Sequence, residues 1–239
     1  MSTDVFGMAI RDYYFSGDRE GEIRTYSSLG EEDAFPIAYL FREYNTMPVL
    51  EQKALDLCRG RVLDIGCGAG SHSLYLQGKG IEVVSLDVSP GAVEVCRAMG
   101  LTGVVEADFW SYEGKKFDTL LLLMNGIGIS GRVGRLPEFF EKARALLKPS
   151  GQVLFDSSDI IYMFDKDEDG EYEFPSPETY YGEVEFEVAY RGARSEPFPW
   201  LYIDAVVMER AAADHGFAFE LVRKGDHYDY LGKLTLLGY

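Results

Sequence analysis

The chain has 239 residues, with 23 Lys and Arg against 40 Asp and Glu and a formal net charge of −17. At 46% hydrophobic and 14% aromatic it holds the material for a sizeable core, which excludes global disorder, and its length suits one domain with an insertion. So acidic a surface, with Lys115-Lys116 as the one adjacent Lys pair, disfavours nucleic acid and anionic membrane as partners.

The first 47 residues read as a cap or lid segment. Within them, residues 1–10 lack the basic and apolar regions of a signal peptide. Residues 5–15 suit a short helix carrying Tyr13 and Tyr14, which either packs on the sheet or closes over a ligand crevice. Pro48 fits a first helical position, and Leu50, Ala54 and Leu57 follow at helical spacing. Residues 61–65 form a short β-branched strand, and a helix over 71–77 stops at Gly78 and Gly80. A second strand covers 82–86. Ser89-Pro90, a side-chain cap followed by Pro at the first turn, starts a helix that ends at Gly100.

Residues 103–107 and 117–124 are the third and fourth strands. The near-continuous apolar run of the fourth suits a strand buried on both faces. A helix over 136–147 is ended by Pro149 and Gly151, and 152–156 is the fifth strand. Strands alternating with helices predict a parallel α/β sheet with right-handed crossovers. Beyond it the rhythm changes. An acidic loop over 165–170 precedes alternation in which Glu183, Glu185 and Glu187 share one face and Val184, Phe186 and Val188 the other. Residues 198–203 return as its partner, so 165–203 reads as an inserted β-hairpin. A helix over 205–215 and a hairpin over 217–237 form the closing section, 204–239.

No stretch approaches the roughly 20 apolar residues that span a bilayer. Cys58, Cys67 and Cys96 lie far apart along the chain, and their odd number argues against a disulfide framework. Without paired Cys/His spacing, no metal site is expected. Together these features predict a soluble cytoplasmic protein.

The informative motif is Asp64-x-Gly66-x-Gly68-x-Gly70, between the first strand and the helix after it. Glycines there allow a sharp turn and close approach of backbone to ligand. Asp87 closes the second strand about 20 residues after Gly66, a position suited to accepting from two ribose hydroxyls. A phosphate-binding loop requires Gly-Lys-Ser or Gly-Lys-Thr, which is absent. A dinucleotide site requires a third glycine or alanine where Ser71 stands, and Asp64 would repel a pyrophosphate. A cationic nucleoside without phosphate satisfies both objections, and S-adenosylmethionine is such a ligand.

Here the sequence resembles the class I S-adenosylmethionine-dependent methyltransferases. The resemblance rests on Asp64 to Gly70, Val84 to Ser89, Ala107-Asp108-Phe109, Phe117-Asp118 through Asn125, and Leu146 to Gly151. It implies a doubly wound α/β fold with a seven-stranded, mostly parallel sheet in the order 3-2-1-4-5-7-6, the last strand antiparallel. A small antiparallel β insertion follows strand 5, and residues 48–156 form the cofactor-binding core of a single methyltransferase domain. It further implies that Gly66, Cys67 and Gly68 hold the methionine portion of the cofactor, Asp64 orients its ammonium, and Asp87 with Val88 holds the ribose. Asp108 and Phe109 would flank the adenine, and Asn125 with Gly126 would line the pocket. The Asn/Asp-Pro-Pro-aromatic signature of adenine and amide methylation is replaced by Asn125-Gly126-Ile127-Gly128, which disfavours those acceptors.

Methyl transfer from a sulfonium is an in-line displacement that mainly requires orientation, worth ~7–11 kcal/mol, and a base only where the acceptor must lose a proton. His72, Asn125 and Asp156 are the catalytic candidates. Candidates for binding a small-molecule acceptor are Tyr13, Tyr14, Ser157, Asp159, Tyr162, Trp200 and Tyr202, with anchoring of the hairpin the preferred reading for Trp200 and Tyr202. A nicotinamide-dependent oxidoreductase, or a protein that binds S-adenosylmethionine or S-adenosylhomocysteine without turnover, are the alternatives. The oligomeric state is not indicated.

Overall fold

The computed structural model describes residues 3–17, 19–174, 176 and 178–238. Helix α1 (Val5–Arg11) passes through a π-helical turn (Asp12–Ser16) to strands β1 (Glu22–Ser27) and β2 (Glu32–Pro36). Helix α2 (Val49–Leu57) precedes β3 (Arg61–Ile65), α3 (Ser71–Gly78) and β4 (Glu82–Asp87). Next come α4 (Pro90–Ala98), β5 (Val104–Glu106), β6 (Phe117–Leu122), α5 (Leu136–Leu146) and β7 (Leu147–Ser158). Strands β8 (Glu183–Tyr190), β9 (Ala193–Arg194) and β10 (Phe198–Leu201) follow. Helix α6 (Ala205–Asp214) and the hairpin β11 (Phe217–Lys224) and β12 (Asp229–Leu236) come last.

Seven strands form one sheet in the order β5-β4-β3-β6-β7-β12-β11. Pairing is parallel from β5 to β7, and β12 runs antiparallel to both of its neighbours. This is the doubly wound sheet the sequence implies. Period-2 alternation sends side chains to both faces. Leu121, Leu154 and Leu231 pack with Leu50, Ala54 and Leu76 of α2 and α3. Leu120, Leu122, Val153 and Phe155 pack on the opposite face with Phe139, Phe140, Met208 and Ala212 of α5 and α6. Each fully buried large side chain contributes about 1.5–3 kcal/mol, and β6 serves both layers, which accounts for its unbroken apolar run.

The junction between α5 and β7 differs from expectation. Helix α5 ends at Leu146, and β7 starts at Leu147. Residues 148–151 bulge out, because the pairing jumps from Phe117↔Leu147 to Thr119↔Gln152. Pro149 supplies no amide hydrogen for the ladder there.

The insertion is not a free-standing hairpin. Strands β10, β8, β1 and β2 form a second, antiparallel sheet in that order, with β9 on β8, so the N-terminal region supplies two of its strands. The glutamates that share one face of β8 find partners: Glu183 accepts from the Val133 amide at 3.0 Å, and Glu185 and Glu187 pair with Arg132 and Arg194.

Helix α1 is docked on α4. A Cβ on Gly91 would lie 2.6 Å from the Gly7 backbone, so both glycines permit the close approach. The Asp4 carboxylate caps α1 through the Gly7 amide at 2.9 Å and reaches Ser89 Oγ and the Gly91 amide, each at 3.0 Å. The order of strands reverses between β3 and β6, which places a crevice at their carboxyl ends, where open α/β sheets take ligands.

Candidate active site

The glycine turn after β3 is shaped by positive φ at Gly66 (71°), Gly68 (53°) and Gly70 (83°), values that side chains with a Cβ rarely adopt. A Cβ on Gly66 or Gly68 would meet nothing within 4 Å, so the turn borders open space. A Cβ on Gly70 would strike Leu101 and Cys96, so this third glycine is required by packing. The Gly66 and Cys67 amides donate to the Leu86 carbonyl, tying the turn to β4.

Asp87 ends β4 beside this turn. One carboxylate oxygen accepts from the Gly68 amide at 2.8 Å and the other from the Ser89 amide at 2.9 Å. Burial pushes its carboxyl above the usual range, and these amides oppose that. A carboxylate has about four lone-pair sites, so both oxygens retain accepting capacity. Open space over a glycine turn beside a fixed carboxylate fits an adenosyl cofactor carrying ribose hydroxyls. Asp64 lies beneath the turn, 2% exposed, and accepts from Ser73 Oγ at 2.6 Å; Ser85 donates to Ser73 in turn at 2.7 Å. Burial raises its carboxyl too.

Val88 is 70% exposed at the edge of the crevice. Asp108 is exposed and caps its own turn through the Trp110 amide, while Phe109 is buried against Phe139. Cys67 and Cys96, distant in sequence, are neighbours in space with Sγ atoms 3.9 Å apart as free thiols. Their mutual hydrogen bond, and then burial, pushes Cys67 up, away from thiolate chemistry.

Beside the turn, a cleft of about 310 Å³ is lined by Tyr39, Glu51, Met124, Asn125, Asp156 and Asp229, among others. Met124 and Asn125 both have left-handed backbones (φ 62° and 54°), a strained pair that aims the Asn125 amide at Asp156 Oδ1, 2.9 Å away. Asn125 Nδ2 donates to the Leu201 carbonyl at 3.2 Å, and its Oδ1 is buried without a partner. Burial pushes Asp156 up to about 7, opposed by the Asn125 amide. Gly126 continues from Asn125 into a short 3-10 turn (Gly126–Ser130).

His72, expected as the titratable group near the cofactor, is buried and committed. Its Nε2 lies 2.8 Å from Glu51, which also takes a two-pronged contact from Arg42. The three side chains are 5–8% exposed. Burial pushes Glu51 upward, but His72 and Arg42 outweigh it and hold the carboxyl below its usual range. Among the described residues, no three His, Cys, Asp or Glu side chains are grouped as metal ligands would be.

Of the predicted acceptor and catalytic residues, only Asn125 and Asp156 line the cleft. Tyr202 approaches Asp156; burial, Tyr162 and Asp156 push its phenol up to about 12. Tyr162 is 55% exposed and packs on Tyr228 at 4.9 Å. Asp159 accepts from Tyr181 at 2.7 Å. Ser157 is 1% exposed, and its hydroxyl accepts from the Ile203 amide, a structural use. Trp200 is packed against Gly128, whose missing side chain makes room for the indole, and so anchors β10. Tyr13 stacks on Phe41 at 4.4 Å, and Tyr14 donates to the Ala98 carbonyl at 3.2 Å. Sequence reasoning missed Tyr39, Glu51 and Asp229. The one signal was Glu51, an acid within the apolar stripe of α2 next to Leu50 and four residues before Leu55.

A methyltransferase domain model matches residues 62–151. An S-adenosylmethionine-dependent methyltransferase from Bacteroides fragilis, solved in complex with S-adenosyl-L-homocysteine, is 42% identical. The likeness covers 98% of this chain and 95% of that one, with a TM-score of 0.90. The CcbJ methyltransferase of Streptomyces caelestis shares the fold at 15% identity, over 84% and 98% of the chains, with a TM-score of 0.62. Among curated relatives, a ubiquinone biosynthesis O-methyltransferase of Xanthomonas oryzae is 42% identical over 55 residues, 23% of each chain. The chain thus matches about a quarter of the length of that relative. The full-length likeness to the Bacteroides enzyme, together with the domain match over the glycine turn, decides the family: this chain belongs to the S-adenosylmethionine-dependent methyltransferases.

Proposed function

We propose that the protein transfers a methyl group from S-adenosylmethionine to a small-molecule acceptor held in the cleft beside Asn125 and Asp156. The observation that carries this reading is the juxtaposition of the open glycine turn and Asp87 with that cleft at the reversal of strand order. Asp87 would accept from the ribose hydroxyls, Gly66 and Gly68 would let the backbone approach the methionine portion, and Asp108 with Phe109 would flank the adenine. Asp64 would support the turn from below and bias the site toward a cation. When bound, the cofactor supplies an activated methyl group; the chain's own residues bind, orient and exclude water.

The volume of about 310 Å³ suits a small acceptor rather than a protein side chain with its flanking segments. The net charge of −17 disfavours nucleic acid. Among the described residues no helix is long and apolar enough to cross a membrane, and the three cysteines are free thiols, which suits a reducing cytoplasm. Calorimetric titration with S-adenosylhomocysteine beside NAD tests the reading. Micromolar binding of the former alone is expected, followed by turnover of an acceptor. Binding of NAD alone would restore the oxidoreductase alternative, and cofactor binding without turnover across a broad acceptor panel would point to a non-catalytic binder.

A further inference from the structure

We propose that the acceptor is a small amine that enters the cleft as its ammonium ion and passes a proton to the Asp156 carboxylate before methylation. The inference rests on the methyltransferase reading and names its substrate class.

The cleft is lined by acidic residues on three different elements: Glu51 on α2, paired with Arg42 and His72; Asp229 at the start of β12, which accepts from the His227 amide; and Asp156 on β7, held by the Asn125 amide. Among the described residues that line it there is no Lys, Arg or His. Of the nearest cations, His72 is engaged by Glu51, and Arg42, stacked on the Tyr39 ring and touching Met124, is engaged by Glu51 as well, so its charge is balanced there. The cleft therefore repels a carboxylate or phosphate and attracts a cation. A second, independent feature points the same way. Asn125 Oδ1 is buried without a hydrogen-bond partner, and the donation of Nδ2 to Leu201 fixes which end of the amide is turned away from that carbonyl. A buried acceptor left unsatisfied costs about 1–3 kcal/mol, so a site that keeps one calls for a ligand with N–H groups to offer. An ammonium is donor-only, with three N–H groups, whereas a phenol or alcohol brings one.

The rim suits the rest of such a molecule. Tyr39 and Met124, which line the cleft, are 41% and 37% exposed. A half-exposed tyrosine and methionine offer apolar contact to the body of such a molecule.

An ammonium nitrogen has no lone pair and cannot attack. Asp156 is placed to take its proton, with Oδ1 anchored by the Asn125 amide. Titratable groups face it from every side: Glu51 and His72 from the helices, Tyr39 and Tyr202 from the loops, and Tyr230 with Asp229 from β12. Burial sets its affinity for a proton near neutrality, so it accepts and releases one readily. The balance is simple. One N–H proton moves to Asp156, and the freed lone pair forms the nitrogen–carbon bond. The electron pair of the carbon–sulfur bond stays with sulfur, leaving a thioether and a methylated ammonium. The proton then leaves Asp156 for water.

The test is equilibrium binding to the full chain saturated with S-adenosylhomocysteine, read by calorimetry with three shape-matched probes: phenethylamine, para-ethylphenol and phenylacetate. Phenethylamine is expected to bind at least about tenfold more tightly than either of the others, and Asp156→Asn to lose that preference while S-adenosylhomocysteine affinity is retained. Asp229→Asn, on the neighbouring strand β12, is expected to weaken the amine alone, and serves should Asp156→Asn fail to fold. Equal or tighter binding of the phenol or the carboxylate, or no binding of the amine, overturns the inference alone. Failure of S-adenosylhomocysteine to bind overturns the methyltransferase reading and the inference with it.

Discussion

At the carboxyl ends of β3 and β4, short stretches of chain position everything. Asp87 is fixed by the amides of Gly68 and Ser89, and Asp64 by Ser73. At the ends of β6 and β7 the groups arrive from distant parts of the chain: Tyr39 from before α2, Glu51 from α2, Asn125 and Asp156 from the strand ends, Asp229 from the last hairpin. The first region is satisfied within itself. The second retains an unpartnered Asn125 oxygen, two left-handed residues in succession and a carboxyl pushed up to about 7. A binding half built from local turns is stable on its own terms, whereas a half assembled from remote pieces carries the strain and the chemistry.

The sharpest way to break this contrast is Glu51→Gln. Removing one member of a buried ionic group leaves Arg42 uncompensated and costs about 3–5 kcal/mol. The midpoint of urea unfolding should fall accordingly; an unchanged midpoint would mean that water already screens the group. Asp87→Ala addresses the other half. The loss of hydrogen bonds to a charged acceptor, ~1.5–3 kcal/mol, should weaken S-adenosylhomocysteine by about ten- to a hundredfold without unfolding the domain. Unaltered affinity would sink the ribose assignment.

Gly91→Ala probes the docking of α1. Overpacking against the Gly7 backbone should cost about 1–3 kcal/mol, visible as a lower Tm, with the core strands still protected from hydrogen exchange. The smallest effect concerns pH. Asp156 is raised from 3.8 to about 7 in the folded state, so the fold binds a proton there that the unfolded chain has released. The stability it contributes is therefore full below about pH 4 and lost as pH rises through about 7. Asp156→Asn should flatten the decline of Tm across that window, and a decline as steep as wild type would place the titration elsewhere.

The contrast also explains what the sequence made legible. Asp64, Gly66, Gly68 and Asp87 were readable because spacing along a strand–turn–helix unit fixes their geometry. The seven-strand order came with the resemblance that these residues carry to the class I methyltransferases. Tyr39 and Asp229 carried no local signature, since only the folded chain brings them to the cleft with Asp156. The pairing of His72 was not legible because its partner, Glu51, lies 21 residues earlier on another helix. Trp200 and Ser157 were ambiguous for a different reason: a polar or aromatic tip serves anchoring and binding alike, and only Gly128 and the Ile203 amide reveal the anchoring use.

The shared second sheet has a bearing on biosynthesis. Strand β1 pairs with β8, and Ser28 meets Glu185, 157 residues downstream. With translation at about 5–20 residues per second, the first hairpin waits on the order of ten seconds for that partner. Until then its edge is bare, and an isolated two-stranded hairpin is at best marginally stable. Helix α1 needs far less of the chain, because α4 emerges much sooner and the Asp4 and Gly91 contact is already complete within it. The nascent chain thus holds its leading helix early and its leading hairpin late, which makes that hairpin the segment most in need of shielding on the ribosome.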